Sequence, residues 1–124
     1  MDSSILVSAG HELLDTLEAK GLKPRAAMWV HNTDIDTWKL WVVPPKNFSD
    51  QRAFYRQVVE AIAESGNPFP DIDASDVEMV SDSHPAIASL AKLIKVTDKS
   101  SVTLHNNKLG NFYLADGIIL RMDI

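Results

Sequence analysis

The stretch MWVHNTDIDTWKLWV, from Met28 to Val42, decides how the rest of the chain is read. It holds all three tryptophans of the 124-residue protein, together with one histidine and two aspartates. Ala26–Asn32 and Thr37–Val43 are rich in β-branched and aromatic residues, and Thr33-Asp34-Ile35-Asp36 between them carries turn chemistry. A hairpin is expected, ended by Pro44 and Pro45. Successive strand residues point to opposite faces of a sheet. Trp38 and Trp41 are three apart, so they face opposite ways wherever the turn falls.

The turn sets everything else. An odd loop, Asp34-Ile35-Asp36, puts Val30 opposite Leu40 and Trp29 opposite Trp41. Met28, Val30, Trp38, Leu40 and Val42 then form one apolar face, and Trp29, His31, Lys39 and Trp41 lie on the other. An even loop sends Trp29 to join Trp38 and leaves Trp41 beside Val30. A one-residue slip flips a whole strand. The odd loop is expected because it gives the cleaner apolar face.

Helices flank this hairpin. Leu6, Leu13, Leu14 and Leu17 recur at helical spacing, and Gly21 and Pro24 stop the run, so a helix is predicted over about 4–20. Ser49 or Asp50 caps a second helix with Phe54, Tyr55, Val58, Val59 and Ile62 as its stripe and Gly66 as its end. GNPFPDIDASD is a loop, and DVEMV alternates like a short strand. SHPAIASLAKLI reads as a third helix, capped by Ser83 or His84 with Pro85 in its first turn.

Strands return in SVTLHN, NFYLA and GIILRM. Asp116-Gly117 between apolar runs is a strong hairpin signal, because a type I′ turn needs positive φ at both centres. It would place Tyr113, Ala115, Ile118, Leu120 and Met122 on one face and Phe112, Leu114, Ile119 and Arg121 on the other. The chain is therefore expected to be one α+β domain over 1–124. Its antiparallel sheet has five or six strands, an N-terminal hairpin plus a C-terminal three-strand meander, with three helices. The element order is α-β-β-α-(β)-α-β-β-β. This order resembles the arrangement of PAS-like and profilin-like domains, which sets the first hairpin beside the last strands. No sequence motif names a family.

Both hairpins carry apolar residues on both faces, whereas a half-exposed antiparallel sheet shows polar residues on one. Either the chain's own helices cover both faces, or another molecule covers one. Burying a tryptophan removes about 150–250 Å² from water, an upper estimate of about 4–6 kcal/mol at roughly 25 cal/mol per Å².

Composition narrows the function classes. A net charge of −5 argues against charge-driven binding to nucleic acid or anionic membrane. The chain has no cysteine, which excludes disulfides, thiol catalysis and thiolate metal sites. No basic leader and no long apolar run are present, so a cytoplasmic protein is expected.

Few residues point to chemistry. His31 with Asp34 or Asp36 could form a hydrolase or metal site, but hairpin turns take aspartate for backbone reasons alone. From Asn67 to Asp82 there are five acids and no base. Asp71, Asp73 and Ser75 begin like a calcium loop, yet Asp76 stands where the sharp turn needs glycine and Asp82 where a glutamate is wanted. His11, His31, His84 and His105 show no metal-site spacing. No nucleophile elbow or phosphate loop occurs. Arg52 and Arg56 share a helix face, the usual place for solvated or paired charges.

The reading that follows is a small non-enzymatic protein-interaction module without a cofactor or metal. It is expected to self-associate as a homodimer through an apolar sheet face. Trp29, Lys39, Trp41, Phe112 and Ile119 are the candidate contact residues, since aromatic anchors ringed by polar groups dominate interface energies. The alternatives are a small-ligand sensor with a pocket between sheet and helices, and a hydrolase built on His31 with Asp34 or Asp36.

Overall fold

The computed structural model describes residues 3–64 and 72–124. Gly66 and Asp71, the expected helix end and first calcium-loop position, lie outside the described residues. The elements run α1 (Ser3–Ala19), β1 (Ala26–Asn32), β2 (Thr37–Val43), α2 (Gln51–Glu64), a 3-10 turn (Ala74–Asp76), β3 (Val77–Met79), α3 (Pro85–Leu93), β4 (Val102–Leu109) and β5 (Phe112–Met122). The class is α+β, with a five-stranded, mostly antiparallel sheet in the order β3-β2-β1-β5-β4. β1 lies beside β5, as the element order implied. β3 runs parallel to β2, because α2 carries the chain back across the sheet between them.

Local chemistry sets the element ends. Gly21 takes φ +89 after α1, the left-handed cap that glycine adopts without a Cβ clash. At the start of α2 the Asp50 carboxylate accepts from the Ala53 N–H at 3.1 Å. His84 caps α3, its Nδ1 accepting from the Ala86 N–H at 3.1 Å, with Pro85 in the first turn.

Two expectations about turns are corrected. The first hairpin loop is even: Asn32 pairs with Thr37, Trp29 with Leu40 and Met28 with Trp41. The loop is therefore Thr33–Asp36, with Asp36 at φ +50 and the Asp34 N–H donating to the Asn32 side chain at 3.0 Å. This register buries Trp29 against α1, where its indole N–H donates to the Leu6 carbonyl at 2.8 Å. A buried indole needs such a partner, and the odd register would have put the ring on the other face. Trp38 and Trp41 do face opposite ways.

The second correction concerns Asp116-Gly117. It is not a turn but the interior of β5, so the meander is a two-strand hairpin of long strands. The chain reverses at Gly110-Asn111 instead, between the paired residues Leu109 and Phe112. Gly110 has φ +63, which a type II′ turn requires at its first central position. Gly117 has another task. A Cβ there would stand 2.8 Å from Leu114 Cδ2 and 3.3 Å from the Trp29 carbonyl, so a larger residue would have to push Leu114 aside for β5 to pass this close.

The faces follow from these registers. On one side α1 and α2 cover Ala27, Trp29, Leu40, Val42, Ile118 and Leu120. On the other, α3 and the β4–β5 hairpin cover Met28, Val30, Trp41, Val43, Ile119 and Met122. The β1–β5 register shifts beside Ala27, leaving Leu120 as an extra residue in β5. That bulge explains why Ile119 and Met122, three apart, share a face. Both faces at the sheet centre are thus covered from within the chain, in three layers. Among the described residues no helix is long and apolar enough to cross a membrane.

Candidate binding groove

The β2 strand places Trp41 on the α3 side of the sheet. There it meets the edges of His84 at 4.8 Å and Phe112 at 5.2 Å between ring centroids. His84 and Phe112 also touch each other, at 5.4 Å. The cap of α3 and the first residue of β5 therefore close over Trp41, which is 8 % exposed.

A groove of about 520 Å³ opens beside this ring cluster. Val30, Trp41 and Phe112 give it an apolar lining. Tyr113, Lys39, Asp34 and Glu78 are among its polar and charged groups, and His31 also borders it. Glu78 reaches the groove because β3 pairs parallel to β2 with Glu78 beside Trp41. The Lys39 ammonium donates to the Ser75 carbonyl at 2.8 Å, within the 3-10 turn that precedes β3. Among the described residues, neither Glu78 nor Asp34 forms an ion pair. A second groove, of about 640 Å³, lies at the Pro44-Pro45 bend. Two of its charged groups, Arg25 and Asp82, pair at 3.1 Å, and Lys46 also lines it.

The five candidate contact residues separate. Lys39, Trp41 and Phe112 come together in the groove. Trp29 and Ile119 are core residues, 1 % and 0 % exposed, on opposite sides of the sheet. Glu78, Tyr113 and His84 were missed as companions of Trp41. The alternation of DVEMV hinted that Glu78 shares a strand face, but its parallel pairing is a tertiary fact.

His31, which also borders the groove, belongs to a rung across four strands. His105, Asp116, His31 and Trp38 are successive register partners on β4, β5, β1 and β2. His105 Nδ1 meets Asp116 Oδ1 at 2.5 Å, and the His31 ring lies 4.7 Å from that of Trp38. His31 Nε2 bonds to Asp36 Oδ1 at 2.8 Å. Its Nδ1 is buried, without a hydrogen-bond partner among the described residues, 3.8 Å from Asp116 Oδ2. Asp34 takes no part. A general base must offer a ring nitrogen to its substrate. Here one nitrogen is taken by Asp36 and the other is enclosed.

Comparison of the chain with protein-family models, with curated proteins and with solved structures found no match. Among the described residues no group of three or more His, Asp or Glu side chains is placed to hold a metal ion. Asp73, the second position of the calcium-like run, instead donates its backbone N–H to Asp76 at 3.1 Å.

Proposed function

We propose that this chain is a non-enzymatic protein-interaction module whose contact surface is the groove beside Trp41. The observation that carries this reading is the combination at its mouth. A packed cluster of three rings stands next to the exposed ring of Tyr113 and two carboxylates that form no ion pair among the described residues. Rigid aromatic groups beside polar ones are the usual energetic centre of an interface. The apolar sheet face first expected to drive homodimer formation is occupied by α3 and the β4–β5 hairpin.

A small-molecule ligand is the second reading, favoured by a groove volume within the range of about 300–1,000 Å³ that such ligands occupy.

Photo-cross-linking in an extract of the native cell tests the proposal. A photoreactive phenylalanine analogue in place of Tyr113, which is 61 % exposed, is expected to give a discrete protein adduct that excess wild-type chain suppresses. The same analogue in place of Val59, 53 % exposed on α2, is the control and is expected to give none. Equal labelling from both positions, or a suppressible adduct from neither, would contradict it.

A further inference from the structure

The chemistry of the groove specifies its occupant further, on the footing of the interaction reading above. We propose that it takes an arginine side chain of a partner protein. Three features lead there.

First, neither of the groove's two carboxylates forms an ion pair among the described residues. Lys39 could neutralise one of them, but its ammonium is directed at the Ser75 carbonyl, and it forms no ion pair among the described residues. In the second groove, by contrast, the carboxylate of Asp82 is paired with Arg25.

Second, the Glu78 carboxylate stands beside an aromatic surface. Glu78 and Trp41 are register partners on neighbouring strands, which places their side chains about 5 Å apart at their roots on the same face. Phe112 and Tyr113 supply the ring area that remains accessible, Tyr113 being held by its hydroxyl donating to Asn106 Oδ1 at 2.6 Å. A guanidinium is the cation suited to this pairing. It is planar, stacks on aromatic faces and forks two N–H groups onto one carboxylate. An ammonium makes only the point-charge contact.

Third, the field of the whole chain has the right sign. The net charge of −5 draws a basic segment in and repels an acidic one.

The test uses three blocked pentapeptides, Gly-Gly-Arg-Gly-Gly and its counterparts with Gln or Glu at the centre, titrated into the 15N-labelled full chain. The arginine peptide is expected to shift the Trp41 indole and the Phe112 and Tyr113 amides saturably, while the Gln and Glu peptides do not. Glu78→Gln, a change at an exposed position on a short edge strand, is expected to weaken binding about fivefold, and added salt to weaken it further. Unchanged affinity in Glu78→Gln, or shifts spread over the acidic surface without saturation, would overturn the proposal. Groove resonances moved by the Gln or Glu peptide alone would overturn the arginine assignment and leave the interaction surface standing. If no peptide moves them, the arginine assignment falls, and the Tyr113 cross-link still decides the broader reading by itself.

Discussion

The indole N–H of Trp29 donates to the carbonyl of Leu6 over 2.8 Å, joining the middle of β1 to α1 in a fully buried contact. This bond links the hairpin register to the helix above it. Trp29→Phe keeps most of the apolar area but leaves the Leu6 carbonyl without that donor. It is expected to cost about 1–3 kcal/mol, and Trp29→Ala about 3–5 kcal/mol. Urea unfolding followed by circular dichroism measures both. A Phe variant as stable as wild type would show that the hydrogen bond contributes little.

Gly10 sits on the buried face of α1 directly over the same ring. A Cβ there would fall 2.3 Å from Leu120 Cδ1 and 3.0 Å from Trp29 Nε1. Alanine in a helix interior normally stabilises by about 1 kcal/mol relative to glycine. Here the expected sign is reversed, with Gly10→Ala destabilising by about 1–3 kcal/mol through overpacking. A raised melting temperature would mean that α1 can lift from the sheet at little cost.

The two glycines of the C-terminal hairpin should respond for different reasons. Gly110→Ala forces a side chain into the left-handed region, at a cost of about 1–2 kcal/mol. Gly117→Ala leaves the dihedrals permissible but drives a methyl into Leu114 and the Trp29 carbonyl. A cost of about 1–3 kcal/mol is expected, relieved in part by Leu114→Ala in the same chain. A double-mutant cycle provides the check, and strict additivity would refute the contact.

Asp98 gives the chain a small acid-side dependence. The Ser100 hydroxyl, and after it the Ser100 N–H at 3.1 Å, hold its carboxyl below the usual aspartate range. A carboxyl depressed in the folded state contributes stability above its unfolded pKa of about 3.9, and the contribution is lost as pH falls through the folded value. Ser100→Ala should raise the Asp98 titration midpoint, followed by side-chain carboxyl NMR. It should also reduce stability at neutral pH slightly while leaving stability in strong acid unchanged. An unmoved midpoint would remove the Ser100 hydroxyl as the cause.

Much of the fold was legible because its signals are local. Both strands of the first hairpin, the cap of α3 at His84 and the stop after α1 at Gly21 each depend on a few adjacent residues. The opposition of Trp38 and Trp41 followed from strand geometry alone. The candidate groove was half visible: Lys39, Trp41 and Phe112 were singled out, whereas Trp29 and Ile119 belong to two different cores. A tryptophan or isoleucine pattern does not reveal which face a helix will cover.

The amino-acid sequence by itself determined the α+β class, the presence of three helices, the two strands of the first hairpin, and the need to cover apolar groups on both sides of the sheet. Only the tertiary structure decided how. The loop at Thr33–Asp36 could be odd or even, and Trp29 finding the Leu6 carbonyl accompanies the even register. Gly110-Asn111 and Asp116-Gly117 could both turn a hairpin. The second is drawn straight because β5 pairs with β1 on one side and β4 on the other through Asp116 and Gly117. A turn is a choice among local conformations differing by about a kcal/mol, and the ladder bonds and buried area on either side outweigh it. What covers Trp41 was settled in the same way. His84 and Phe112 lie 43 and 71 positions along the chain from it, and only the folded sheet brings them to its ring.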